Sequence, residues 1–175
     1  VFQGRYADRV GFLTSRGLDP AKPTVLFAPT YKPTCMYDVK DAVFEATRDR
    51  CNLVVKLHHY SWMGKYAPHE QHRIFERRVR QYPHATLVPM EEYNIVPWMA
   101  AADTLLSEAS STVFDFLALG KTGIIYDLPG DRLKHSDGMP LLGEDNRAFL
   151  KEAFVHVGRP DDLGDAVTRA LTPTD

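Results

Sequence analysis

Short apolar runs alternate with amphipathic runs along most of this chain, and this alternation constrains the fold more than any other feature. Runs of this kind are typical of strands that are buried on both faces of a parallel sheet. We predict strands at residues 24–28, 53–57, 85–89, 104–107, 123–127 and 153–157. We predict helices at residues 38–50, 69–81, 95–102, 111–119 and 161–171. The pattern predicts an α/β protein with a Rossmann-like parallel sheet of about six strands and helices on both faces.

The length of 175 residues suits one domain with a core of its own. We therefore predict a single domain over residues 1–175, with residues 1–22 as a linker or edge segment. Residues 129–152 include most of the polar stretch "LPGDRLKHSDGMPLLGEDN" and are predicted to form a long loop. Because the chain begins with Val1 and not with Met, we expect it to be part of a longer protein.

Composition excludes several classes of partner. A net charge of −2 at pH 7 argues against a nucleic-acid-binding face, which requires clustered cations. No apolar run approaches the length of a membrane span. The two cysteines, Cys35 and Cys51, form no metal-type cluster, and a reducing cytoplasmic setting is expected. Four histidines could converge on a metal ion but lack a closed ligand spacing, so we predict neither metal nor cofactor. They are His58, His59, His69 and His72.

Ligands of open parallel sheets bind beyond the carboxyl ends of the strands. Thr30 and Lys32 follow the first predicted strand, and His58 follows the second. Ser110 and Ser111 begin the helix after the fourth strand, where free backbone N–H groups and the helix dipole favour an anion. The alternatives are that Ser110 is only an N-cap and that His58 is an ordinary surface histidine. Together these groups predict a phosphate site.

Three further residues near this edge are less clear from their positions. Met90 follows the third strand and is predicted to contact the nucleotide, in a segment that reaches the base. Asp115 lies one turn into the serine helix, where a carboxylate reaches ribose hydroxyls or, alternatively, only solvent. Lys56 lies within the second strand and is expected either at the phosphate site or facing solvent.

The triplet Gly120-Lys121-Thr122 matches the last three residues of the phosphate-binding P-loop motif. A P-loop requires another glycine five residues before Gly120, where this chain has Asp115, and it lies between a strand and the following helix. Here the triplet follows a helix and precedes a strand. We therefore predict that Gly120 ends the helix and that Lys121 complements the helix dipole, at the amino end of the sheet.

Three segments carry a resemblance to a known family: "VLFAPTYK", "LVVKLHH" and "AADTLLSEASSTVFDFLALGKTGIIYD". Residues 24–127 resemble the CDP-glycerol glycerophosphotransferases, the teichoic acid and capsule polymerases of cell-wall biosynthesis, which have a GT-B architecture. The matching segments belong to the carboxy-terminal half, which binds the nucleotide donor. The sequence differs from the usual family pattern at Lys32, at His59 and at the stretch Ser107-Glu108-Ala109-Ser110-Ser111.

The resemblance implies a transferase that moves an alditol phosphate from a CDP-linked donor to an acceptor hydroxyl and releases CMP. It implies that His58 is the catalytic contact to the diphosphate and that Ser110 and Ser111 hold it, with Thr30 and Lys32 as further phosphate ligands. A related serine motif in UDP-N-acetylglucosamine 2-epimerases would place Asp115 on the ribose. The polymer acceptor and the catalytic base would belong to an amino-terminal domain outside this chain, and the fragment alone would be an incomplete enzyme.

Two other functions remain open. One is a UDP-sugar-using glycosyltransferase or 2-epimerase-like domain, and the other is a non-catalytic Rossmann module that binds a partner protein. If the resemblance holds, the full-length protein is expected in the cytoplasm or on the inner face of the membrane.

Overall fold

Six parallel strands form one sheet in the order β3-β2-β1-β4-β5-β6. The computed structural model describes residues 8–63, 71–108, 110–130, 132, 138–140 and 143–172. The strands are β1 (Thr24–Phe27), β2 (Asn52–Val55), β3 (Ala85–Leu87), β4 (Thr104–Ser107), β5 (Ile124–Tyr126) and β6 (Val155–Val157). This sheet confirms the predicted Rossmann-like α/β fold.

Alternate residues of the strands point to opposite faces of the sheet, and each face has its own core. Val25 and Phe27 pack on one face, whereas Leu26 packs on the other, and all three are fully buried. Burying a large aliphatic or aromatic side chain stabilises a fold by about 1.5–3 kcal/mol relative to leaving it exposed. Central strands that are apolar on both faces are therefore stable only under two layers of helices.

Eight α-helices surround the sheet in the described part of the chain. They are α1 (Arg9–Thr14), α2 (Met36–Val39), α3 (Ala42–Thr47), α4 (Gln71–Val79), α5 (Val96–Ala101), α6 (Ser111–Ala118), α7 (Glu144–Ala153) and α8 (Leu163–Leu171). Helices α2, α3, α4 and α8 contribute to the core with Phe27, and helices α1, α5, α6 and α7 contribute to the core with Leu26. None of the helices in these ranges combines the length and the apolar character that a membrane span needs.

Within residues 1–22, predicted as a linker or edge segment, the described part starts at residue 8 and forms helix α1. Asp8 accepts a hydrogen bond from the Gly11 N–H and caps α1, and Leu13 of that helix is fully buried. Arg9 donates to the Ala101 carbonyl and pairs with Asp103 at 2.7 Å. The segment therefore packs against the rest of the domain. Its polar residues contact residues far away in sequence.

The predicted long loop at 129–152 is wrong in its last third, where α7 forms. The helix has Glu144 and Asp145 in its first turn and Lys151 in its last, which suits the helix dipole. Leu150 is the buried anchor of a helix that is otherwise largely exposed. The loop prediction failed because so few apolar residues face the core. Residues 131, 133–137 and 141–142 lie outside the described residues.

Two predicted helices differ in extent. The helix predicted over 38–50 is divided into α2 and α3, with Lys40 and Asp41 between them. The helix predicted over 69–81 is described only from Gln71, so its first residues, His69 and Glu70, lie outside the described part.

The triplet at 120–122 lies at the amino end of the sheet, as predicted. Gly120 has a left-handed backbone with φ of 72° and follows α6. The predicted partner of Lys121 is wrong: its Nζ donates to the carbonyls at the end of α5, not to its own helix. The acceptors are Met99, Ala100 and Ala102, at 3.1, 2.7 and 2.7 Å. Burial lowers the pKa of Lys121, and three carbonyls satisfy its ammonium group.

Candidate functional site

A cleft of about 510 Å³ opens at the carboxyl ends of the strands. Its walls come from the loops after β1, β2 and β3 and from the start of α6. The chain leaves β1 toward β2 on one side, whereas β4 pairs with β1 on the other side. The cleft thus lies where the strand order reverses, which is the usual ligand site of such sheets.

The charged side chains that line this cleft are basic. They are Lys32 and Lys56, and the imidazoles of His58 and His59 join them. Among the described lining residues there is no aspartate or glutamate. Low-dielectric walls concentrate the field of like charges within a cleft, so this surface favours an anion.

Lys56 is buried at the base of the cleft, and the alternative that it faces solvent is wrong. It has a relative exposure of 9% and follows β2 directly. Burial lowers the pKa of its ammonium group, and the nearby Glu92 carboxylate opposes that shift. A bound anion would offset the cost of keeping this cation out of water.

His58 is held as a hydrogen-bond donor toward the cleft. Its Nδ1 accepts the backbone N–H of Tyr60 at 3.2 Å, so the neutral ring carries its proton on Nε2. Burial, then the neighbouring His59 and Lys56, lower the pKa of His58. The ligand-free geometry therefore favours a neutral His58 that donates from Nε2 over a cationic His58.

The start of α6 leaves its first backbone N–H groups without a side-chain cap. Ser110 occupies the N-cap position but makes no capping hydrogen bond. Its hydroxyl lies 3.3 Å from that of Ser107, which also contacts the Ala28 carbonyl at 2.7 Å. Ser111 is exposed and lines the cleft. The interpretation of Ser110 as only an N-cap therefore loses its main support.

Glu108 orders the loop after β1, a role that the sequence reasoning missed. Its carboxylate is 1% exposed and accepts hydrogen bonds at 3.1 Å from the N–H groups of Thr30 and Cys35. The hydroxyl of Thr30 lies 3.1 Å from the same carboxylate and also contacts the Pro33 carbonyl. Burial raises the pKa of Glu108. The available signal was an acidic residue directly after a buried strand.

The remaining predicted residues divide into two groups. Met90 lies at the cleft, as do Thr30 and Lys32. Asp115 is exposed on α6 and is not among the residues that line the cleft. The sequence reasoning also missed an apolar wall, which comprises Trp62, Tyr93, Ile95 and Phe114.

Three of the four histidines, His58, His59 and His72, belong to the described part of the chain. No group of three or more metal-ligating side chains occurs among the described residues. His72 contacts the Ser61 carbonyl at 3.1 Å and stacks on Trp62, with ring centroids 4.9 Å apart. His69 lies outside the described residues.

The fold defines the class: a Rossmann-like α/β domain that matches one half of a GT-B architecture. The wall teichoic acid polymerase TagF is similar in structure over 96% of this chain and 38% of its own, with a TM-score of 0.60 and 15% identity. A histidine-to-asparagine variant of TagF soaked with CDPG matches 96% of this chain and 37% of its own, with a TM-score of 0.59 and 15% identity. The chain thus spans 38% of the length of the polymerase that it matches.

A third solved structure is the capsule enzyme KpsC of Thermosulfurimonas dismutans, a beta Kdo 2,4 transferase. It covers 94% of this chain and 55% of its own at 15% identity, but its TM-score of 0.43 is too low to support a shared fold. No protein-family model matches the chain. No curated protein matches it either. At 15% identity the similarity to TagF establishes a shared fold.

Proposed function

We propose that this chain is the donor-binding domain of a glycerophosphotransferase that uses CDP-glycerol or a related CDP-alditol. One observation carries the proposal: the described lining of the switch-point cleft has two lysines and two histidines and no carboxylate. A nucleotide diphosphate is negatively charged and therefore complements the positive charge of this cleft. The uncapped start of α6 supplies backbone donors for the same group.

The proposed reaction transfers an alditol phosphate. An acceptor hydroxyl attacks the β-phosphorus, the bond from that phosphorus to the bridging oxygen breaks, and CMP leaves with the oxygen. Catalysis of such transfer consists mainly of positioning and charge stabilisation. Lys56 and the first N–H groups of α6 would neutralise the diphosphate, and Nε2–H of His58 would donate to the leaving phosphate.

The other predicted residues have smaller proposed roles. Lys32 is an exposed cation at the mouth of the cleft and would contact the phosphate from the β1 side. Thr30 would offer a donor there, although its hydroxyl already contacts Glu108. Met90 would contact the nucleotide. Asp115 would reach the ribose only if that sugar extends along α6 beyond the cleft lining.

The base that takes the acceptor proton and the polymer acceptor are proposed to belong to a further domain of the full protein. The share of TagF that this chain spans supports a division of the enzyme into two parts. This chain alone is then expected to bind the donor and to turn it over poorly.

Isothermal titration of the 175-residue chain tests this function. CDP-glycerol and CMP are expected to bind with higher affinity than UDP and UDP-N-acetylglucosamine. Preference for the UDP compounds would instead support the sugar-nucleotide alternative, and no binding of any nucleotide would contradict the proposal. For a non-catalytic module, partner binding would be unchanged by His58→Ala.

A further inference from the structure

His58 and His59 lie side by side at the cleft. His59 is not among the phosphate ligands proposed above. Their ring centroids are 4.3 Å apart with an angle of 29° between the planes. Both rings line the cleft. Protonating both of two stacked imidazoles costs free energy, because two cations at this distance repel each other.

The surroundings of the pair supply further positive charge. Lys56 follows β2 and lies two residues before His58, and Lys32 faces the same cleft from the loop after β1. Tyr31 and Tyr60 flank His58, with ring centroids 4.7 and 5.1 Å away. No aspartate or glutamate lies among the described residues that line the cleft, and the offsetting carboxylate of Glu92 acts on Lys56 by opposing the lowering of its pKa by burial.

The two histidines differ in where they can accept a proton. Nδ1 of His58 already accepts the Tyr60 N–H, so protonating that nitrogen would break the hydrogen bond that holds the turn. His59 is exposed, and its ring carries no such constraint from the turn. An additional proton on the pair is therefore better placed on His59.

We propose that His59 is a further ligand of the donor diphosphate and that it takes up a proton from solvent as the diphosphate binds, while His58 remains a neutral Nε2–H donor. This inference rests on the proposed function, since it assigns a residue and a proton to the same site. Its consequence is that donor affinity rises as the pH falls toward 6.

Titration calorimetry with CDP-glycerol in several buffers at pH 7.0 measures this proton directly. The diphosphate of CDP-glycerol has no group that titrates near neutral pH, so the proton count reports on the protein. Plotting the observed enthalpy against the ionisation enthalpy of the buffer is expected to give uptake of about half a proton, as for one imidazole shifted upward by an adjacent anion.

Three matched variants separate the groups. His59→Gln is expected to abolish most of the uptake and to lower the affinity several-fold. His58→Gln and Lys56→Met are expected to lower the affinity while uptake persists. His84→Gln is the control, since His84 precedes β3 at the opposite edge of the sheet and contacts Thr47 there.

The possible results distinguish the inference from the function on which it rests. Binding of CDP-glycerol without proton uptake, or uptake unchanged in His59→Gln, would overturn the role of His59 and leave the proposed function standing. Absence of any nucleotide binding would overturn both.

Discussion

At the scale of single residues, Lys56 combines a cost to folding with a benefit to binding. Lys56→Met removes a buried cation, so we expect the free energy of unfolding to rise by up to about 1 kcal/mol. The same change removes a charge from the diphosphate and is expected to weaken donor binding by about ten- to hundredfold. Thermal unfolding and calorimetric titration measure the two effects, and Lys22→Met at the amino end of β1 is the control.

The pH dependence of this effect has a defined sign. Because burial lowers the pKa of Lys56 in the folded state, the unfolded chain binds more protons between that pKa and the ordinary 10.5. The wild type should therefore gain stability relative to Lys56→Met as the pH rises through that window. A constant difference across the window would contradict the assignment of Lys56 as a buried cation.

Glu108 is a positioning residue, and two substitutions separate its charge from its hydrogen bonds. Glu108→Ala leaves the N–H groups of Thr30 and Cys35 without their acceptor and should lower the free energy of unfolding by about 2–4 kcal/mol. Glu108→Gln keeps an acceptor oxygen and should cost less than half of that. Urea unfolding measures both, and equal losses in the two variants would contradict this role.

The buried carboxyl of Glu108 also makes the stability of the fold depend on pH. Burial raises the pKa of its carboxyl above the usual 4.5, so the folded state binds more protons in the window above 4.5. The wild type should then lose stability relative to Glu108→Gln as the pH rises through that window, with the loss complete above the raised pKa. Unfolding curves of both proteins across this window test the sign.

At the scale of elements, Lys121 links the turn after α6 to the end of α5. Lys121→Met removes three hydrogen bonds to carbonyl groups and is expected to lower the free energy of unfolding by about 1–3 kcal/mol. Donor affinity should be unchanged, because Lys121 lies at the amino end of the sheet, opposite the cleft. Lys151→Met on the exposed side of α7 is the matched control. A change in donor affinity in Lys121→Met would contradict this placement.

The strands and the edge that carries the cleft were predictable from sequence because the relevant signals are local. Continuous apolar runs indicate buried strands, and the residues after them meet at one edge. Thr30, His58 and Ser111 therefore lie together as predicted. Helix α7 was not predictable in this way, since it buries only Leu150 and its polar face resembles a loop.

The details of the site depend on contacts between residues far apart in sequence. Glu108 acts on Thr30, 78 positions away, and no local pattern indicates that pairing. The burial of Lys56 and the partner of Lys121 likewise depend on neighbouring elements. Asp115 lies one turn beyond Ser111, about 6 Å further along the helix axis, which is enough to remove it from the cleft lining.

At the scale of the whole molecule, the described chain is one parallel sheet between two layers of helices, with a basic cleft at the carboxyl ends of its strands. The similarity to TagF covers almost the whole chain and 38% of the polymerase. The proposed function adds that this domain binds the donor and that turnover requires a further domain. The central claim is that a nucleotide diphosphate lies against the start of α6.

A crystal structure of the chain in complex with CDP-glycerol tests this claim most directly. We predict phosphate oxygens about 2.7–3.2 Å from the Ser111 N–H and from Nζ of Lys56, with Nε2 of His58 on the same group. A nucleotide bound away from this cleft, for example in the groove between β3 and α4, would contradict it.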